Sequence, residues 1–321
     1  MWDFSISRSL DAMMRTLPFI LLRMAVYFGI TLTYVIVTGT GAGVGYGIGF
    51  VGDNDFQAST TFWGGLAGFG IVSVAMYWVR EYILYMVKAG HIVALVDVLN
   101  GEPVMPGKAQ VEKAVAEVKA RFVEANVLFA LDQLIKGVLR ALVGLINVIG
   151  AILPGLTGLA SFINAVLRIA AGYVDEVILA YNIRTRSENP WASARTALVL
   201  YGQNAGVMVK NALWLTVIIY VVAFLVFLVM IAPAAAFAYV MPGGWSGWGF
   251  VIAVLLAWSF KQAIMEPFAI FCLMQVYFKT VEGQTPDPVW ESRLEEASTK
   301  FREMGEKARR WALGRGSVER A

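Results

Sequence analysis

Residues 211–260 contain no Lys, Arg, Asp, Glu or His. No other feature limits the fold so sharply. About 20 mostly apolar residues suffice for a helix to cross a hydrocarbon core of roughly 30 Å. Residues 211–240 meet that requirement once and residues 249–278 meet it again, with Pro242-Gly243-Gly244 as the turn between them. Lipid offers the backbone no hydrogen-bond partners, so both arms are expected to be helical. The stretch reads as a membrane hairpin.

Lys261, Gln262 and Glu266 interrupt the second arm, and Pro267 follows. A charge at the bilayer centre costs roughly 2.5–3.5 kcal/mol on insertion scales, so such groups normally face protein or water. Gln262 and Glu266, four apart, share a helix face, whereas Lys261 and Glu266 do not. Pro267 removes a helical hydrogen bond and predicts a kink. Two readings stand. At 1.5 Å per residue the arm spans about 45 Å, so it can overrun the membrane and let Lys261 snorkel to an interface. Otherwise the three residues form a polar site inside the fold.

Hydrophobic residues make up 58% of the chain and charged residues 15%, the latter well under the globular norm of about 25%. With a mean hydropathy of +0.65, this places the chain among integral membrane proteins. A single cysteine, Cys272, and a single histidine, His91, argue against a disulfide framework, a metal centre and a Ser/His triad. No phosphate loop, dinucleotide fingerprint, HExxH motif or nucleophile elbow occurs. Catalytic residues, a metal and a cofactor are therefore not expected, and the chain does not read as an enzyme. It also lacks the basic, aromatic-interleaved patch that nucleic acid would need.

In chain order, residues 1–23 mix Trp2, Phe4, Ile6, Leu10, Met13 and Met14 with Asp3, Arg8, Asp11 and Arg15. They read as an amphipathic segment on the membrane surface. Residues 24–79 form a first transmembrane hairpin, whose first arm ends in GTGAGVGYGIG at 39–49. Gly43-Val44-Gly45-Tyr46-Gly47 resembles part of a potassium-channel selectivity filter, but the pore helix that a filter needs is missing. The alternative is close helix packing: Gly41/Gly45/Gly49 and Gly39/Gly43/Gly47 both follow small-xxx-small spacing, answered by Gly64 and Gly68 on the second arm. Each glycine weakens the helix by about 1 kcal/mol relative to Ala, so part of the stretch is a candidate for unwinding.

Residues 80–210 read as a cytoplasmic or interfacial helical region. The helix leaving the membrane continues through 82–99 and breaks at Asn100-Gly101. Val111, Val115, Val118, Phe122, Ala125 and Phe129 then mark one face of an amphipathic helix, and Asp132, Lys136 and Arg140 form a charged stripe. Two short apolar runs within 141–167, split by Pro154-Gly155, carry Asn147 and Asn164 near their middles. Such runs fit either a re-entrant hairpin beside a cavity or a hairpin lying flat on the inner leaflet. Asn189-Pro190 is a helix start. Residues 211–278 are the second transmembrane hairpin, and 279–321 a cytoplasmic carboxyl-terminal helix.

Lys and Arg are absent from 24–79 and from 211–260, and enriched in the amino end, the middle and the tail. By the positive-inside rule these three regions are cytoplasmic and both turns lie outside. The expected fold is an all-α integral membrane protein of about four transmembrane helices in two hairpins, with cytoplasmic amphipathic helices and a candidate re-entrant hairpin. A multi-pass inner (cell) membrane location follows, with both termini cytoplasmic.

Residues 173–288 begin YVDEVILAYNIRTRSENPWASARTALVLYGQNAGVMVKNALWL, continue through two apolar arms and leave through QVYFKTVEGQTPDP. This third of the chain resembles the carboxyl part of choline-transporter-like membrane proteins, which are larger and have more spans. The resemblance implies movement of choline, ethanolamine or a related small amine. A cation site needs carboxylates or aromatic faces, for which Tyr173, Asp175, Glu176 and Glu266 are the candidates. The leading expectation is a homo-oligomeric transporter or channel-like protein whose polar path involves Glu266, Gln262, Lys261, Asp175, Glu176, Tyr173, Asn147 and Asn164. Gly41, Gly45, Gly49, Gly64 and Gly68 are assigned to helix packing. The alternative is a non-transporting scaffold that organises membrane lipid or protein partners at the cytoplasmic face.

Overall fold

The computed structural model describes residues 1–121, 127, 130–139, 172–240 and 246–318. Among them every regular element is helical: Ile6–Arg15, Leu17–Gly49, Asn54–Asn100, Gly107–Arg121, Val174–Arg184, Pro190–Gln203, Ala205–Val240, Ser246–Val281, Pro288–Ala297 and Thr299–Val318, with a further helical stretch at 130–139. Five segments are long and apolar enough to cross a membrane: Leu17–Gly49, Asn54–Tyr77, Tyr82–Asn100, Ala205–Val229 and Gln262–Val281. The chain is all-α, with the several apolar helices that a multi-pass membrane protein requires.

These five are not equivalent. Only 17%, 11% and 22% of the apolar windows in Leu17–Gly49, Asn54–Tyr77 and Ala205–Val229 are buried, against 61% in Tyr82–Asn100 and 78% in Gln262–Val281. The first three turn their apolar side chains outward, as a helix solvated by lipid does. The last two are apolar because protein covers them.

The helices belong to two compact units. One comprises Phe19–Val87 and Leu225–Ala263. Its first two helices are joined at Asp53, whose side chain accepts from Phe56 N at 2.8 Å and starts the second. A methyl added at Gly41 would overlap the Gly64 carbonyl oxygen, and one at Gly45 that of Thr60. A methyl at Gly49 would stand 2.5 Å from Gln57 Cα, and one at Gly68 would stand 2.6 Å from Val37 O. The backbones touch along this line because no side chain separates them. Gly39, Gly43 and Gly47 differ: nothing lies within 4 Å of a methyl built on any of them. Helical geometry persists to Gly49, so the glycine-rich stretch is not unwound. Tyr27, Leu84 and Ala263 form a buried apolar cluster with Met24, Val26 and Ile30 around it.

The other unit comprises Met1–Pro18, Lys88–Phe224 and Ile264–Ala321. The amino-terminal helix is docked here. Ser5 caps it through Arg8 N at 3.2 Å. Phe4, Ala12 and Met13 are buried, Ser9 Oγ meets Cys272 Sγ at 3.1 Å, and Thr16 Oγ1 meets His91 Nε2 at 2.9 Å. Asn211 and Asp3 close a two-bond clasp, each bond 2.7 Å long. Leu10 and Met14 remain exposed.

Asn54–Asn100 ends where Gly101 takes a positive φ of 76°, which a side chain would strain. Asn189 caps Pro190–Gln203 by accepting from Ala192 N at 3.1 Å, with Pro190 in the first turn. Ser246–Val281 runs through Pro267. The tail is two helices where the sequence predicts one, because Ser298 turns the chain and its Oγ accepts from Phe301 N at 3.3 Å. Leu294, Phe301 and Met304 bury its apolar face.

Candidate functional site: a buried acid–lysine network

The larger unit gathers six charged side chains from four helical segments. Asp175 and Glu176 occupy the first turn of Val174–Arg184, where the positive end of the helix dipole favours carboxylates. Lys88 extends from Asn54–Asn100, Glu266 from Ser246–Val281, and Asp132 and Lys136 from 130–139. Lys88 Nζ donates to Glu176 Oε1 at 3.1 Å and pairs directly with Glu266. Lys136 pairs with Asp132 at 2.8 Å and stands 3.7 Å from Asp175 Oδ2. All four acids are buried.

Among the described residues, four buried carboxylates therefore face two half-buried lysines. Burial pushes the Asp175 carboxyl well above the usual carboxylate range, and the neighbouring Glu176 and Asp132 charges push it further. Burial also opposes ionisation of Glu176, but the Lys88 ammonium, together with hydrogen bonds from Asp175 and the backbone, holds Glu176 below its ordinary value. Asp132 is raised by burial against the pull of Lys136. Burial alone would weaken the Lys136 charge, yet Asp132 and Asp175 hold its proton more tightly than usual. Asp175 Oδ1 and Glu176 Oε2 are buried without a hydrogen-bond partner, an expensive state for a carboxyl oxygen.

Glu266 and Glu176 thus come together through Lys88, and the adjacent Asp175 meets Lys136. Tyr173 sits at the amino end of the Asp175 helix and is half-buried. Gln262 is half-buried and belongs to the other unit. The Lys261 side chain, Asn147, Asn164, Arg140 and the Pro154 hairpin lie outside the described residues. Sequence reasoning gave Lys88 no role, because its only local signal is that of a lone cation in the apolar run 82–99.

A second polar centre also escaped notice. The Arg195 guanidinium donates to Glu291 at 2.9 Å, pairs with Glu295 and lies 4.5 Å from the Phe301 ring centroid. It clamps the two tail helices, and a groove of about 650 Å³ runs beside it past Thr196, Arg302 and Glu306. Nearby, Tyr277 OH donates to Ala197 O at 3.0 Å, and its ring contacts Tyr181 and Tyr201, each at 6.1 Å between centroids.

Among the described residues no group of three or more His, Cys, Asp or Glu side chains is arranged to hold a metal ion. Comparison of the chain with protein-family models, with curated proteins and with solved structures finds no match.

Proposed function

We propose that this protein is a multi-pass membrane transporter for a small cationic solute, in which the acid–lysine network meets the solute's charge. One observation carries the reading: among the described residues four buried carboxylates gather on two lysines. A network serving stability alone gains most when its charges balance, since unpaired buried charge is strongly destabilising. An excess of buried acid is attractive to a cation. Kinship with choline-transporter-like proteins would make that cation a small amine, with Tyr173 and Glu266 near it. In this reading the cation-free regions cross an inner membrane four times, both termini are cytoplasmic, and Tyr82–Asn100 with most of Gln262–Val281 belongs to the cytoplasmic side.

The test is uptake of radiolabelled small amines and of monovalent cations into proteoliposomes, for wild type and Glu266→Gln. Uptake by wild type that falls at least tenfold in the variant is expected. Absence of uptake in both would overturn the assignment.

A scaffold role is the second reading, favoured by the firm docking of the amino-terminal helix and of both tail helices on the larger unit. In that case deletion of residues 108–129 abolishes capture of a specific partner and Glu266→Gln is silent.

A further inference from the structure

The network is a chain of groups, not a cage. From one end it runs Glu266, Lys88, Glu176, Asp175, with Asp132 and Lys136 beyond. We propose that its resident ligand is a proton, shared between Asp175 and Glu176, and that a cationic solute enters by displacing it. This deepens the transport reading and rests on that reading for what the proton drives; proton binding itself is measured separately.

The geometry supplies three arguments. Asp175 and Glu176 each keep one buried oxygen, Oδ1 and Oε2, with no donor facing it. An ionised carboxylate only accepts, so two carboxyl groups hydrogen-bond to each other solely through a proton held on one of them. Asp175 and Glu176 are adjacent and buried in the first turn of one helix, and Asp132 shares Lys136 with Asp175. Secondly, Lys88 binds the other oxygen of Glu176, whereas Lys136 stands 3.7 Å from Asp175. The cations therefore favour a charged Glu176 and leave the proton on Asp175; burial raises both carboxyls, and only Glu176 has the partners that bring it back below its ordinary value. Thirdly, the described carboxylates do not converge on one centre as a metal ion requires.

The transfer step is simple. The O–H bond of Asp175 breaks, an O–H bond forms on Glu176 Oε2, and the negative charge passes from Glu176 to Asp175. The attraction of Lys88 to Glu176 weakens while its pairing with Glu266 remains, so the shift is felt on three helices at once. A cation arriving beside these groups stabilises their ionised forms and expels the proton. Exchange of solute for proton follows from that competition.

The experiment is infrared spectroscopy of the purified full-length protein in detergent, following the carbonyl stretch of protonated carboxylic acids. At neutral pH wild type should retain such a band, and Asp175→Asn should lose it. Glu176→Gln, which keeps the donor from Asp175 partnered, should shift the band without removing it, and serves if Asp175→Asn does not fold. No band in wild type at neutral pH overturns the proposal. So does a band removed by Na⁺ but not by a bulky organic cation, which would make a metal ion the occupant. A band present without uptake sinks the transport reading alone; uptake without the band sinks the proton.

Discussion

Gly41 and Gly64 pass so closely that a methyl on either would overlap the other's carbonyl oxygen. Gly43, two residues away, has nothing within 4 Å of the same added methyl. The pair makes a controlled comparison on one helix. Gly41→Ala should destabilise by about 1–3 kcal/mol, the usual cost of forcing an extra carbon into a filled space. Gly43→Ala should stabilise by up to about 1 kcal/mol through helix propensity. Thermal unfolding of the two variants in detergent checks both signs. Equal effects would mean that the two helices do not cross at Gly41.

Lys88 is the shared cation of Glu176 and Glu266. Lys88→Met takes a cation away from both buried acids, and breaking a buried pair in this way typically costs about 3–5 kcal/mol. Adding Glu176→Gln and Glu266→Gln to Lys88→Met should recover most of the loss, because a neutral trio needs no cation. Denaturant unfolding of the single and triple variants measures this. A single variant as stable as wild type would show that Lys88 is solvated and does not bridge the two acids.

These contrasts also mark what sequence alone conveyed. The apolar runs, the helix start at Asn189-Pro190, the stop at Gly101 and the Asp132–Lys136 pair are local features, visible in short windows. Spacing could not separate the Gly41 triad from the Gly39 triad, because both repeat every four residues and only the position of the second helix decides which is covered. Nor could hydropathy separate Tyr82–Asn100 from a membrane span, since lipid and protein interior are both apolar solvents. The partners of Lys88 and of Arg195 come from distant helices, and a charge in an apolar run says that a partner is needed without naming it.

Asp3 offers a pH-dependent probe of the amino-terminal clasp. The Asn211 amide, followed by Lys210 at 2.6 Å, holds the Asp3 carboxyl below its ordinary value of 3.8. A lowered carboxyl pKa contributes stability above the unfolded value, and that contribution is lost as pH falls through the folded one. The clasp should therefore hold at neutral pH and loosen as pH drops below about 4. Trp2 reports on it, since its ring lies 5.5 Å from that of Trp214. Trp fluorescence should change over that acid window in wild type and not in Asp3→Asn. A transition of equal size in the variant would assign the change to another group.

The proposed topology places Asp53 and Glu306 on opposite sides of the membrane. Both are exposed, and Cys272, the single cysteine, is buried. A membrane-impermeant maleimide applied to intact cells therefore has little background to overcome. Asp53→Cys should label from outside, and Glu306→Cys should label only after the membrane is permeabilised. The reasoning rests on the absence of Lys and Arg from 24–79 and 211–260, because cations in short loops resist translocation while acidic residues such as Asp53 scarcely matter. Labelling of both positions from one side would require an even number of crossings between them. Tyr82–Asn100, although 61% of its apolar window is buried by the chain itself, would then be the segment to count as a further span.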